Sequence, residues 1–301
     1  KTLSFALLFV IIAGFTYYIY THLEDFKQLS LVNPLYIIPL VLIFILLSVA
    51  NGIVIKYLLE PFNIFITFKE WFGLSIITSF YNTITPLKGG MVAKAVYLKR
   101  RYSFSYIDFF ASYSGTYIIS FLAASLLGLM SLISLYYEKG IFNIPVTLFF
   151  IGILVPCFVV VIFSPRFNLT ENELLNKALK VANSWNNLKK NRKIVAVVLI
   201  TFLIQIILSS VVSIISYNIF GIELTISQAL FLVSVGTIMG VISITPGSLG
   251  IAEAIAVFSA LVIGITPVQS LSVAILSRAV SVAVIFILGP IFSYILLKKD
   301  S

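Results

Sequence analysis

Thr85-Pro86-x-x-x-Gly90 and Thr245-Pro246-x-x-x-Gly250, each preceded by isoleucine, stand 160 positions apart inside strongly apolar stretches. Proline removes a backbone donor and breaks a helix, and glycine lets the chain restart close by. A half-helix beginning after each break would present its first amides, those of Lys88 to Met91 and of Ser248 to Ile251, at the break. There the helix dipole favours an anion. Gly89, Gly90, Gly247 and Gly250 would let a headgroup approach the backbone, and Lys88 adds a positive charge to the first break. Two more charges stand in apolar surroundings: Glu253, one turn into the second half-helix, and Arg278 in the last apolar segment. A charge at the bilayer centre costs at least about 2.5–3.5 kcal/mol on insertion scales, so such residues pair or line a polar path. The two are expected to pair. In one reading the pair only fixes hairpin against helix; in the other Arg278 holds an anionic group for which Glu253 competes. The candidate substrate site is therefore Thr85, Pro86, Lys88, Gly89, Gly90, Thr245, Pro246, Gly247, Ser248, Gly250, Glu253 and Arg278.

The elements that position these residues belong to a membrane. The 301 residues are 60% hydrophobic and 10% charged, with mean hydropathy +1.11, against roughly 25% charged residues in a soluble domain. Apolar segments run over 3–20, 35–59, 71–85, 91–98, 104–136, 144–163, 194–220, 227–245, 251–265 and 268–297. The first follows Lys1 without a small-residue cleavage site and is expected to be a spanning helix. Not all of the others can cross. The stretch 71–84 reaches about 21 Å as a helix, short of a hydrocarbon core of roughly 30 Å.

Lysine and arginine placement orients the segments. Lys88, Lys94, Lys99, Arg100 and Arg101, the run from Arg166 to Lys193, and Lys298 with Lys299 mark the cytoplasmic side, whereas the loops 21–34, 137–143 and 221–226 carry only Lys27 and Lys139. Segments 35–59 and 104–136 then meet the cytoplasm at the ends flanking 60–101, so the pieces between must enter and return on one side. The same reasoning makes 227–265 a hairpin entering from the other side. The expected fold is an all-α integral membrane protein with six spanning helices plus two opposed re-entrant helical hairpins in inverted-topology repeats. Repeat one covers about 35–136 and repeat two about 194–297, within a single transmembrane domain over 1–301. The copies align without gaps from Phe62 and Ile222, pairing Thr67 with Ser227, Ala93 with Glu253 and Ile118 with Arg278. Duplicated, inverted helix breaks of this kind mark transport sites.

Other features point to less specific chemistry. Lys94, Tyr97 and Arg101 share a helical face and, with Lys99 and Arg100, read as cytoplasmic contact with anionic lipid or as ordinary positive-inside bias. Thr170-x-x-Glu173 opens a helix whose Leu174, Ala178, Val181 and Trp185 share a face, making 164–193 an amphipathic cytoplasmic connector. The lone Cys157 offers no disulfide or thiolate metal site, and the net charge of +9 follows from positive-inside bias without a nucleic acid. No cofactor is implied. His22, Glu24 and Asp25 are the one constellation that could hold a metal for sugar transfer from a lipid phosphate; no convincing enzyme signature accompanies them.

The stretch Thr245-Pro246-Gly247-Ser248-Leu249-Gly250-Ile251-Ala252-Glu253, the arginine at 278, and Asn82-x-x-Thr85-Pro86-x-Lys88-Gly89-Gly90 resemble the transmembrane region of bacterial lysylphosphatidylglycerol synthetase/flippase proteins, over about Leu3 to Lys299. The resemblance implies movement of aminoacylated phospholipid between leaflets. A separate soluble domain makes the lipid in that family, and these 301 residues hold none. Other members without it resemble partners of polyprenyl-phosphate glycosylation pathways. The expectation is a multi-pass plasma-membrane protein with both termini cytoplasmic, acting as a flippase for a phosphate-bearing lipid and contacting anionic headgroups. A non-catalytic scaffold for a lipid-modifying or glycosylation enzyme and a polyprenyl-phosphate-dependent glycosyltransferase are the alternatives. Oligomeric state is left open.

Overall fold

A computed structural model describes residues 31–163 and 191–297, with single positions inside 17–24 and 167–189. Among the described residues there are nine α-helices and no strand: α1 Ile37–Leu59, α2 Phe68–Ile84, α3 Gly89–Tyr102, α4 Tyr106–Lys139, α5 Ile144–Phe163, α6 Arg192–Asn218, α7 Ile226–Met239, α8 Ile251–Val262 and α9 Pro267–Leu297. Helices α1, α4, α5, α6 and α9 are long and apolar enough to cross a membrane. They coincide with the segments expected to span, apart from 3–20. Most of that segment, His22 and Asp25 of the candidate constellation, most of the connector 164–193, and Lys298 with Lys299 lie outside the described residues.

The short helices are paired. The Thr67 amide donates to Glu70 Oε2 at 2.9 Å and so opens α2; the Thr225 amide donates to Gln228 Oε1 at 3.0 Å and opens α7. At the far end of α2, Asn82 Oδ1 accepts the Gly90 amide of α3 at 2.9 Å. Back at its start, Glu70 Oε1 accepts from Arg101 Nε at 2.9 Å and from the Tyr102 hydroxyl at 2.6 Å. Thus α2 and α3 run antiparallel, closed at 85–88 and open at Glu70. Helices α7 and α8 do the same, with Gln228 Nε2 donating to the Ile263 carbonyl at 3.5 Å across their open end.

These open ends lie at opposite ends of the bundle. Near Glu70 are Glu60 after α1 and Lys193 of α6, 3.5 Å apart, while Lys189 reaches the Val161 carbonyl near the end of α5 at 2.7 Å. At the other end, Val32 donates to the Ile219 carbonyl at 2.8 Å, and Ser227 at the start of α7 donates to Glu138 near the end of α4. Lys56, Lys69, Lys99, Arg100 and Arg101 also gather at the first end; Lys139 is the one basic residue at the second, among the described residues.

Helix crossings use small residues, as packing in lipid requires when no hydrophobic force draws helices together. A side chain at Gly52 would overlap the Trp71 ring, and one at Gly128 would overlap Phe150. Phe150 is also the one buried residue of α5, whose remaining faces point away from the bundle. Gly128→Leu should therefore overpack the α4/α5 contact at a cost of about 1–3 kcal/mol. Its thermal midpoint in detergent is expected below that of the unsubstituted protein; an unchanged midpoint would mean that α5 does not rest there.

Candidate functional site

Two breaks that begin alike meet in the middle of the bundle, the second adding Leu249 (φ −58°, ψ 130°) and Gly250 (φ 81°) before its helix restarts. Thr85 (φ −123°, ψ 145°) and Thr245 (φ −88°, ψ 156°) are both extended. The residues that follow the prolines are left-handed in both copies: Leu87 and Lys88 at φ 55° and 54°, Gly247 and Ser248 at φ 59° and 53°. For Leu87, Lys88 and Ser248 that conformation costs roughly 1–2 kcal/mol each. The two stretches thus match from the threonine to the second left-handed residue with the offset seen in sequence, but not beyond. The capping Thr67 corresponds to Thr225, not to Ser227, because α7 stops at Met239 and the chain to Thr245 is unwound, whereas α2 stays helical to Ile84. The second copy spends two more residues between cap and proline. Beyond the break, Tyr117 and not Ile118 is the counterpart of Arg278, since each stands equally far past its cap, Ser105 and Thr266.

The amides expected to be free at the breaks are in part used within the chain. Gly90 donates to Asn82 and Met91 to the Lys88 carbonyl at 2.9 Å. In the second copy Ser248 donates to the Thr245 carbonyl at 3.0 Å, Leu249 to the Pro246 carbonyl at 3.1 Å, and Gly250 to Glu253 Oε2 at 2.6 Å. Unwound backbone in a low-dielectric interior must find partners within the protein, and here the chain supplies several of them locally. Glu253 already occupies the amino end of α8 as its own anion.

The expected pair is present. Glu253 Oε1 faces Arg278 Nε, and Arg278 Nη1 also donates to the Gly247 carbonyl at 2.8 Å. Arg278 therefore ties α9 to both the break and the half-helix behind it. Gly247 in turn lies against Thr83 of the first hairpin, so the two tips touch. Thr83, Gly247, Glu253 and Arg278 line a cavity of about 440 Å3, within the roughly 300–1,000 Å3 of small-molecule sites. Ser209 and Ser213 of α6 and Ser277 and Ser281 of α9 add hydroxyls to a largely apolar wall.

The remaining candidates shape the breaks without lining this cavity. Thr85 Oγ1 donates to the Tyr81 carbonyl, and Thr245, fully buried, donates to the Leu249 carbonyl at 2.8 Å. Ser248 donates to Ser243 at 2.9 Å. Pro86 and Pro246 end the preceding extended segments; Gly89 and Gly90 lie so close to Thr85 and to the Thr78 carbonyl that a side chain would overlap them. Lys88 holds its ammonium 5.4 Å from the centre of the Tyr117 ring.

A family model described as the lysylphosphatidylglycerol synthase TM region matches residues 3–289, nearly the whole chain. The protein belongs to that family. No curated protein and no solved structure matches it. Membership makes the five long helices those of a membrane domain from a family linked to lipid synthesis, which accords with the bare apolar faces of α5.

Sequence reasoning placed part of one helical face of this family member wrongly. Lys94 is not at the surface with Lys99 and Arg100 but is only 4% exposed, beside the Tyr113 hydroxyl at 3.0 Å, and Tyr97 is buried as well. The signal was available, since Met91, Lys94, Ala95 and Leu98 form one helical stripe and its other members are apolar. Positive-inside bias was the wrong explanation for a lysine on an inward stripe.

Breaking the Glu253–Arg278 pair from one side should be costly, about 3–5 kcal/mol, because it strands a buried charge. In thermal unfolding, Arg278→Ala and Glu253→Ala are expected to lose more together as a sum than the double variant loses. Strict additivity would mean that the two charges are not coupled.

Proposed function

We propose that this protein moves a phosphate-bearing lipid between leaflets, the cargo being an aminoacyl phospholipid or a polyprenyl-phosphate-linked lipid. The observation that carries the reading is the contact of two oppositely opening helix breaks beside a cavity whose charged pair holds one of them closed. In this reading the basic end of the bundle is cytoplasmic, residues 3–20 supply a sixth span, and the α2–α3 and α7–α8 hairpins are re-entrant members of inverted-topology repeats. Such repeats, with substrate at their midplane interface, suit alternating access.

Arg278 is the latch. An arriving phosphate competes with Glu253 and the Gly247 carbonyl for the guanidinium, whose fork suits a phosphate's paired oxygens. Glu253 keeps the Gly250 amide when it loses Arg278, so one partner of its carboxylate remains. The Gly247 carbonyl loses its donor, and the second tip is freed from α9. Binding energy at the headgroup is thereby coupled to release of the break, which is the differential interaction a conformational change requires. The serine hydroxyls of α6 and α9 solvate the headgroup while the acyl or prenyl chains stay in the bilayer.

Arg278→Ala is expected to lower headgroup translocation in proteoliposomes roughly tenfold or more, a loss of at least about 1.4 kcal/mol at the site, with the protein still folded by thermal unfolding. Translocation at the unsubstituted rate would remove Arg278 from the path. The membrane arrangement has its own test, using single cysteines in a Cys157→Ser background. Labels at Lys69 and Tyr102 should react from the basic side and labels at Glu223 and Gly264 from the other; reaction of Lys69 and Tyr102 from different sides would make α2–α3 a crossing element.

A further inference from the structure

A second cavity, of about 230 Å3, lies in the other half of the bundle, between α1, α2, α3 and α4. It contains Lys94. Among the described residues no carboxylate lines it and no ion pair involves Lys94, whose ammonium is held only by the Tyr113 hydroxyl and the face of the Tyr113 ring, 4.4 Å from its centre. A cation buried in this way is expensive unless something anionic reaches it. The wall is built of donors with capacity to spare. The Tyr113 oxygen accepts from Lys94, which leaves its own proton to donate. Asn82 spends its carbonyl oxygen on Gly90 and keeps its NH2. Ser75, 2% exposed, has a hydroxyl with no partner, and it is the one such atom on this wall, free to donate to a bound group. Lys88, over the ring of Tyr117 on the same wall, adds positive potential.

We propose that this cavity is a second anion site, in which Lys94, Tyr113, Asn82 and Ser75 hold a phosphate group. One ammonium and several neutral donors suit a tetrahedral oxyanion of low charge. The space is below the usual range for whole small-molecule ligands, so it takes a headgroup and leaves hydrocarbon outside. As a stop on a lipid's route the site rests on the transport reading above. As an anion site it stands on its own residues: the Arg278 cavity is internally neutralised by Glu253, and this one is not.

The test titrates the full chain in detergent with short-chain phosphatidylglycerol and, separately, with inorganic phosphate, in both the unsubstituted and the Arg278→Ala backgrounds. Binding in the Arg278→Ala background that weakens about tenfold or more in Lys94→Met, and is retained in Lys94→Arg, is the expected result. Lysine-dependent binding of the lipid but not of inorganic phosphate identifies a headgroup; the reverse identifies free phosphate. Ser75→Ala serves as a milder variant, expected to weaken the same binding without touching a charge. Absence of binding by both probes, or equal affinity in Lys94→Met, overturns the site. Translocation that still depends on Arg278 would then leave the transport reading standing, whereas Lys94-dependent binding without any translocation would leave only the anion site. Unliganded Lys94→Met should unfold at the unsubstituted temperature or above, because an unpaired buried charge has been removed. A lower midpoint with unchanged binding would make Lys94 a helix tie and end the proposal.

Discussion

Broken helices inside an apolar bundle leave backbone donors and acceptors that water cannot reach. Each such group left unpaired costs several kcal/mol in hydrocarbon. The arrangement at the centre of this protein answers that constraint at several of these groups. Asn82 takes the Gly90 amide, Glu253 takes the Gly250 amide, and Arg278 covers the Gly247 carbonyl. The charged pair that looks at first like a substrate device is also what makes the second break tolerable. Structure and proposed chemistry therefore compete for one guanidinium, and that competition gives the latch its logic.

The two copies solve the same backbone problem with different side chains. Both pass through an extended threonine, a proline and two left-handed residues. In the second copy the charges cancel between Glu253 and Arg278. In the first, the counterpart of Arg278 is Tyr117, which offers a ring face to Lys88, and Lys94 has no acid among the described residues. The first half of the bundle thus has a net demand for negative charge and the second does not.

Elsewhere the molecule follows ordinary membrane physics. Apolar residues on α5 face outward because hydrocarbon is as good a neighbour as another leucine, and glycines at Gly52, Gly73 and Gly128 bring helices together by allowing close approach. Polar clusters are placed at the ends of the bundle, Glu70 with Arg101 and Tyr102 at one, Glu138 with Ser227 at the other. The first cluster closes the open end of the α2–α3 hairpin, and the second ties the start of α7 to α4.

Hydropathy, segment length and the duplicated Thr-Pro motif were enough to place the five described long helices, the two helix breaks and the Glu253–Arg278 pair, because each is a local consequence of composition or of a charge too costly to leave alone. The repeat register outside the breaks was not legible, since an unwound stretch of two extra residues before Thr245 leaves no mark that distinguishes it from helix in an apolar run. Nor could the amide partners be read. Whether Gly250 offers its N–H to a ligand or to Glu253 depends on a side-chain rotamer, and that is chosen by packing. Lys94 was legible by its stripe but was outvoted by the basic residues around it. Which lysine faces water and which faces a cavity is decided only when α3 folds back on α2 and both meet α4, because burial is a property of the assembled bundle and not of the segment.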